Sequence, residues 1–296
     1  MQTRHSSLAK LELALTGMLR LEYMPRPLIL LLAGSWLAVA ATSSIGVIRS
    51  SLDFYVDRSL VRGDSTLFDG DQIETTAARS VLQLDGGQVT LAPDSQAKVY
   101  RDRTVLEKGS GLLRNAGKQV VEAGSLQIIA TARDAVVQVD VQGPGRIAVA
   151  ARSGSALVRN SAGVLVASLQ PGMELAFDAG RPSSAARITG VPQMRNGNYY
   201  VTDPAAHVTI EVHGANLAQY AGKNVEITGS QISGVTPLEG ASEVVLASSI
   251  TPAPRGGGGG SHPGNYSIVG GVAISETIVG LASAGTFAGP PVTGGQ

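Results

Sequence analysis

The chain has 296 residues, in which 23 lysines and arginines balance 23 aspartates and glutamates, and it has no cysteine. Balanced charge gives no electrostatic basis for nucleic-acid binding, so no nucleic-acid partner is expected. The absence of cysteine excludes disulfides, thiolate zinc sites and thiol catalysis. Aromatic residues make up only 4% of the chain and glycines number 37, a composition that favours short strands and tight turns.

An apolar run near the N-terminus predicts export. Residues 27–48 carry no charge, and their most apolar part, residues 28–41, is short for a bilayer crossing of roughly 20 residues. Residues 38–40 (AVA) also fit a signal-peptidase site. Residues 27–48 are therefore predicted to be a hydrophobic helix that serves as a signal anchor or a signal peptide. Residues 1–26, with four basic side chains, are predicted to be a cytoplasmic N-region, unless translation starts at Met24.

Residues 49–178 follow a β pattern. Residues 80–84 (SVLQL) and 88–91 (QVTL) flank an Asp-Gly-Gly turn, which predicts a hairpin. A second hairpin is predicted from residues 156–159 and 164–168, which flank a Ser-Ala-Gly turn. Regular short strands with turns every 8 to 12 residues favour an all-β sandwich, a barrel or a short β-solenoid.

A second β unit is predicted after a break in the pattern. Residues 179–187 are predicted to be a linker, because they are rich in Gly, Pro and Ser. Residues 188–250 contain four or five predicted strands and one short helix at residues 215–221, which suits a small OB-like barrel. Residues 251–296 contain five consecutive glycines, and we expect them to form a flexible tail. Residues 268–288 within that tail are weakly apolar, so disorder or a loosely associated helix is expected there, with a membrane contact as the alternative.

The spacing of the polar residues that could bind a metal ion or catalyse a reaction favours structural roles for them. His207 and His213 are six residues apart on a predicted strand, about 20 Å, which is too far for one metal ion. Asp69, Asp71 and Glu74 lack the ligand rhythm of a calcium loop, and we expect them to stabilise a turn around a glycine. The glycine-rich segments lack the P-loop, dinucleotide-binding and nucleophile-elbow contexts. No catalytic, cofactor-binding or metal-binding residue is predicted, and no cofactor is expected.

Two clusters of side chains are candidates for binding surfaces. The basic residues around Arg101, Arg103 and Lys108 have one aromatic neighbour, so they are expected to protect a solvated strand edge. On the second unit, three tyrosines could form a binding face, but alternation places the first two on opposite faces of a strand. At least one of those two is therefore expected in the core. The three are Tyr199, Tyr200 and Tyr220.

Four segments resemble the exported FecR-like periplasmic domain: LFDGDQIET at 67–75, SVLQLDGGQVTLAPDS at 80–95, VLEKGSGLL at 105–113 and LVASLQPGMEL at 165–175. The resemblance implies an all-β periplasmic domain without catalytic residues. Residues 188–250 are similar to an OB-like domain that accompanies such regions. The best-known FecR-like relatives are anti-sigma regulators with a longer, tryptophan-bearing cytoplasmic segment, whereas Trp36, the only tryptophan, lies within the apolar run of this chain.

The resulting hypothesis is a non-enzymatic bacterial envelope protein, either anchored in the inner membrane through residues 27–48 or secreted. It would bind or scaffold an envelope protein or a surface polymer through its FecR-like domain. One alternative is a transmembrane, anti-sigma-like signal relay, which needs residues 1–26 to meet a cytoplasmic partner. The other is a secreted, polysaccharide-associated protein.

Overall fold

The computed structural model describes residues 43–114, 119–180, 184–214, 216–253 and 267–276. The 24 strands in these ranges are connected into one open, mixed sheet, so the predicted all-β class is confirmed. None of the described residues belongs to a helix long and apolar enough to cross a membrane. The predicted N-terminal helix lies, up to residue 42, outside the described ranges.

Residues 46–178 form sixteen strands. The first eight are β1 (Gly46–Ser50), β2 (Phe54–Val56), β3 (Ser59–Val61), β4 (Asp64–Leu67), β5 (Gln72–Thr75), β6 (Ser80–Leu84), β7 (Gly87–Leu91) and β8 (Gln96–Val99). The next eight are β9 (Arg103–Arg114), β10 (Val120–Ala123), β11 (Leu126–Ala130), β12 (Val136–Gly143), β13 (Arg146–Ser153), β14 (Ala156–Asn160), β15 (Leu165–Leu169) and β16 (Glu174–Asp178). Both predicted hairpins are confirmed, as β6–β7 and β14–β15.

The long strand β9 joins two runs of paired strands. Its first half pairs with β8 and, in parallel, with β10, and this run continues through β11 and β14 to β15. Its second half pairs with β7 and β12, and this run continues through β13 to β16. The two halves meet at Gly109, whose φ of +82° is one that glycine adopts without strain. Both runs bury their alternate apolar residues in one core, which includes Phe54, Leu91 and Phe177.

The rest of the chain forms a second group of strands. They are β17 (Ala185–Gly190), β18 (Gln193–Arg195), β19 (Asn198–Asp203), β20 (Val208–Gly214), β21 (Val225–Gln231) and β22 (Val244–Pro252), with a 3₁₀ helix at Leu217–Tyr220. Strand β17 pairs with β21, β21 with β22, β22 in parallel with β20, and β20 with β19. Strand β17 also approaches β19 so closely that a Cβ on Gly190 would lie 2.5 Å from the Thr202 carbonyl oxygen. These five strands therefore surround their own core, which includes Ile188, Val201 and Ile227.

Two predicted boundaries need correction. The segment 27–48 does not remain an apolar helix to its end, because β1 begins at Gly46 and pairs with both β4 and β6. The predicted linker 179–187 is too long, because β17 already begins at Ala185. All six residues of β17 pair with β21.

The expectation of a flexible tail over 251–296 is wrong for two of its parts. Residues 251 and 252 still belong to β22. Residues 267–276 form a hairpin, β23 (Ser267–Val269) and β24 (Val272–Glu276), where disorder or a helix was expected. The hairpin forms because β24 finds a partner in β16, about 100 residues earlier, and β23 lies beside β17. The other residues of the predicted tail from 254 onward lie outside the described ranges.

Candidate binding surface

Two loops meet at one end of the five-stranded unit. The first, residues 191–197, follows β17 and includes β18, and the second, residues 232–243, joins β21 to β22. The Asn196 side-chain amide donates a hydrogen bond to the Glu239 carboxylate, so the tips of the two loops touch. Both residues have positive φ, +47° for Asn196 and +51° for Glu239, as expected at tight turns. We call these two loops together the loop rim.

A buried carboxylate ties the second loop to the sheet. Glu211 lies on β20 and is only 3% exposed. Its Oε2 accepts a hydrogen bond from the Leu238 amide at 2.9 Å, and its Oε1 lies 2.6 Å from the His213 Nε2. Burial opposes ionisation of Glu211, but the Leu238 amide and the His213 imidazole outweigh it and hold the pKa of this carboxyl below its usual range. Both carboxylate oxygens are thus engaged, and Glu211 acts as an anchor for the loop.

Tyr200 lies beside Glu211 on the same sheet face. The two residues are register partners of β19 and β20, and Tyr200 is 2% exposed. The Arg195 guanidinium carbon lies 6.0 Å from the centre of the tyrosine ring, at the outer limit of a cation–π contact. The Tyr200 hydroxyl is buried without a hydrogen-bond partner among the described residues. A buried hydroxyl of this kind is a position where a bound ligand or a water molecule would restore a hydrogen bond.

Exposed apolar side chains are concentrated on the same unit. Met194 and Leu238 are 62% and 53% exposed. Of the eight large apolar residues that are exposed in the described ranges, four belong to the loop rim and a fifth, Leu246, is the β22 register partner of His213. The four on the rim are Val191, Met194, Val235 and Leu238. Concentration of exposed apolar residues marks interaction surfaces, so the loop rim is the best candidate binding surface of this unit.

The first group of strands has a concave surface that is a second candidate for binding. It lies where β10 and β12 diverge from β9, and its volume is about 740 Å³. Its floor is apolar, with Leu106 and Ile147, and the turn 143–145 and Gly124 form part of its wall. Glu107 and Lys108 are its charged residues. The open shape suits a loop or a side chain of a partner better than an enclosed small molecule.

Three buried polar side chains that the sequence did not single out surround the hairpin β23–β24. Asp203 Oδ2 accepts a hydrogen bond from the Ser267 hydroxyl, and Asn160 Nδ2 donates to the Gly270 carbonyl at 2.8 Å. Glu243 Oε2 accepts from the Gly270 amide at 3.2 Å. Burial raises the pKa of Glu243 to about 7, and the Gly270 hydrogen bond only partly opposes this effect. We call these three residues the hairpin clamp.

The clamp roles of Asp203 and Glu243 could not be predicted from the sequence, because a single acid beside a strand is typical of any solvated surface. A faint signal was available for Asp203, which begins an Asp-Pro turn. Its Oδ1 caps that turn by accepting the Ala205 and Ala206 amides. Nothing in the sequence pairs either acid with a segment that lies 27 or 64 residues later.

The acidic cluster of the first unit has the turn role that its spacing predicted. The Asp71 carboxylate accepts the Phe68 amide at 2.8 Å, and Gly70 has a φ of +95°. Asp69 accepts the Arg101 amide at 2.8 Å, which ties this turn to the start of β9. The turn interpretation is confirmed for Asp71 and Gly70. No group of three or more His, Asp or Glu side chains within the described ranges is arranged to hold a metal ion.

The histidines and tyrosines divide between local and core roles. His207 precedes β20 with a φ of +51°, whereas His213 lies on β20 and contacts Glu211. Tyr200 is buried, as expected for one of the first two tyrosines, and Tyr199 packs partly buried against the core of the five strands. The Tyr220 hydroxyl donates to the Ile250 carbonyl at 3.3 Å. The three tyrosines therefore do not form a shared exposed face.

The two arginines of the basic cluster are paired with acids. Arg103 contacts Asp102 and Glu122 at 3.3 and 3.4 Å, and its guanidinium lies 4.3 Å from the centre of the Tyr100 ring. Arg101 lies 3.5 Å from Asp85. Paired, solvated charges of this kind contribute little stability and leave no continuous basic groove around these arginines.

Comparison with known proteins identifies no family: no family model matches the chain, and no curated protein matches it significantly.

Proposed function

We propose that this chain is an exported, non-enzymatic envelope protein whose two β units act as a binding and scaffolding module. The first unit, predicted from residues 49–178, is interpreted as FecR-like and the second as OB-like. The proposal of export depends on the apolar run 27–48. The last three residues of that run belong to β1, which begins at Gly46. The proposed partner is another envelope protein, and the loop rim is the proposed binding surface.

The OB-like interpretation is supported by the strand order. An OB-type barrel has five strands in which the first pairs with the fourth, the fourth with the fifth, and the fifth in parallel with the third. Strands β17, β19, β20, β21 and β22 have these pairings in the same chain order. The 3₁₀ helix Leu217–Tyr220 lies between the third and fourth of them.

The FecR-like interpretation of the first unit is supported by the structures that the resembling segments adopt. Residues 67–75 form a turn that leads into β5, and residues 80–95 form the hairpin β6–β7 with its closing turn. Two runs of strands around one core are compatible with a sandwich or with a short solenoid. In either arrangement the unit offers sheet edges and the concavity beside β9 rather than a closed active-site pocket.

The observation that carries the binding function is the exposure of four apolar side chains on two loops that touch. Methionine is enriched at protein–protein interfaces, and Met194 is the most exposed of the eight exposed large apolar residues in the described ranges. The anchoring of Leu238 by Glu211 holds its loop in place, so a partner would meet a largely preformed surface. A preformed apolar surface without convergent reactive groups favours binding over catalysis.

The test compares variants of matched exposure. Leu238→Ser and Met194→Ser alter the loop rim, while Leu60→Ser alters a residue on β3, in the first group of strands, that is 51% exposed, close to the 53% of Leu238. Retention of solubilised envelope proteins on the immobilised chain would be quantified by mass spectrometry, with purified envelope polysaccharide as a second sample. We expect both rim variants to lose at least about tenfold of specific retention, a truncation effect typical of hot-spot residues. Equal retention on all three variants, or retention of polysaccharide alone, contradicts the proposal.

A further inference from the structure

The hairpin β23–β24 occupies a gap in the sheet. Strand β24 pairs with β16 along four residues, from Leu175 to Asp178, and β23 meets β17 at Arg187. The hairpin thus links the edge of the first group of strands to the edge of the second. We call the gap between β16 and β17, together with the hairpin clamp, the hairpin slot.

The slot recognises the hairpin by specific polar contacts. Its turn is held from both sides, because Asn160 donates to the Gly270 carbonyl while Glu243 accepts from the Gly270 amide. Its first residue, Ser267, donates to Asp203. Gly270 has a φ of +55°, and a Cβ there would lie 2.8 Å from the Asn160 amide nitrogen. A glycine turn between two short apolar strands therefore fits this slot closely.

An empty slot is unfavourable. Without the hairpin, β16 would expose a row of unpaired backbone groups next to buried apolar residues, which is a site for pairing with another chain. The clamp acids would also lose the donors that the hairpin supplies. Both losses favour occupancy of the slot by a hairpin.

The covalent connection does not dictate which copy of the hairpin fills the slot. Residues 253–266 separate β22 from β23, and they include five consecutive glycines. The composition of this segment predicts a Gly-rich coil, for which a root-mean-square reach of about 20 Å is expected at this length. The hydrogen bonds and the β16 pairing named above join the hairpin to described residues 27 or more positions away, so a hairpin from another molecule would make the same contacts.

We propose that the hairpin slot is an interaction site for a second copy of this chain, which assembles by reciprocal exchange of residues 267–276. Exchanged and unexchanged forms contain the same contacts, so the balance between them depends on protein concentration relative to the effective concentration that the linker provides. For short flexible linkers that effective concentration is in the millimolar range. Exchange is therefore a minor population at micromolar concentration and grows as copies are concentrated, as at a membrane surface.

Single cysteines on the two sides of the slot would detect the exchange, since the chain has none of its own. Ala176 and Ser275 are register partners of β16 and β24, and such partners have Cα atoms about 4.5 to 5.5 Å apart. Full-length Ala176→Cys and Ser275→Cys chains would be mixed, equilibrated and treated with a short bis-maleimide. Ser248→Cys, an exposed position on β22, replaces Ser275→Cys in the control mixture.

We expect the Ala176–Ser275 mixture to give at least about tenfold more cross-linked heterodimer than the control, with a yield that rises with protein concentration. Chains that carry both cysteines report whether the pair is within reach of the reagent. Internal cross-linking in these chains, combined with no heterodimer above the control, overturns the proposal. The pair Asp178→Cys and Ala273→Cys repeats the test at the next register position on the same face, should the first pair impair folding.

Discussion

Replacement of Glu243 by glutamine tests the hairpin clamp through its pH dependence. The buried Glu243 carboxyl has a pKa raised to about 7 from 4.5, mainly by burial, and within the described ranges it accepts a hydrogen bond from the Gly270 amide at 3.2 Å. A raised folded-state pKa means that the folded chain binds the proton more tightly than the unfolded chain. The contribution of this group to stability is therefore complete below about pH 4.5 and is lost as the pH rises through 7.

The size of the stability contribution of Glu243 follows from the difference between its folded and unfolded pKa values. At about 1.4 kcal/mol per pH unit, the change from 4.5 to about 7 gives an upper limit of roughly 3 kcal/mol. Glutamine keeps an oxygen that can accept from Gly270 but does not ionise. We therefore expect the free energy of unfolding of the variant to exceed that of the parent chain by up to roughly 3 kcal/mol at pH 8, and to converge with it towards pH 5.

Urea denaturation followed by circular dichroism between pH 5 and 8 measures this difference directly. Hydrogen exchange at the Gly270 amide reports whether the hairpin carries the effect. Glu74→Gln removes an exposed carboxylate from β5 and serves as the control, for which no pH-dependent gain is expected. The raised pKa of Glu243 would be refuted if the free energies of unfolding of the parent chain and Glu243→Gln changed in parallel with pH. A variant less stable than the parent chain at pH 8 would refute it too.

Three further outcomes are expected. Gly109→Ala should destabilise the chain by more than about 3 kcal/mol in urea titrations, because its Cβ would lie 2.3 Å from the Ser95 hydroxyl oxygen. Gly63→Ala has a similar φ of +79° but open space around it, so it should cost only about 1 to 2 kcal/mol, and equal losses would contradict the steric reason. Asp203→Ala should lower the free energy of unfolding by roughly 3 kcal/mol, because the Ala205 amide, the buried Ala206 amide and the Ser267 hydroxyl lose their acceptor, whereas Ser267→Ala should cost about 1 kcal/mol. The reverse order would exclude the clamp role of Asp203. Glu211→Gln should speed hydrogen exchange at the Leu238 amide at pH 7. The difference should shrink as the pH falls below 4.5, because the stabilisation from a lowered carboxyl pKa is complete above the unfolded value and is lost as the pH falls through the folded one. Unchanged exchange at pH 7 would remove Glu211 as the loop anchor.

Local signals predicted the first hairpin well, and they did so for a physical reason. Residues 80–91 alternate apolar and polar side chains around an Asp-Gly turn, and both the strand period and the turn are properties of neighbouring residues. The second unit was likewise predicted to contain four or five strands and one short helix, and the structure has six strands there, β17 to β22. The short helix expected at 215–221 is the 3₁₀ helix Leu217–Tyr220.

The hairpin β23–β24 could not be predicted in the same way. Residues 268–276 are mostly small or weakly apolar, and after a glycine run such a segment is typical of a flexible tail. Its strand conformation depends on the open edge of β16 and on Asn160, Asp203 and Glu243, all of which are remote in sequence. The loop rim was equally hidden, because the exposure of Met194 and Leu238 depends on how two separate loops meet.

The sequence alone determined that the described chain is all-β, where most of its strands lie, and that the acids around Gly70 make a turn, because strand period and turn chemistry are local. Only the tertiary structure decided that β9 joins two runs of strands, that Glu211 anchors a loop, and that part of the apparent tail fills a slot between two groups of strands. These features require contacts between residues that are distant in the chain, and such contacts leave no periodic pattern in the sequence around either partner.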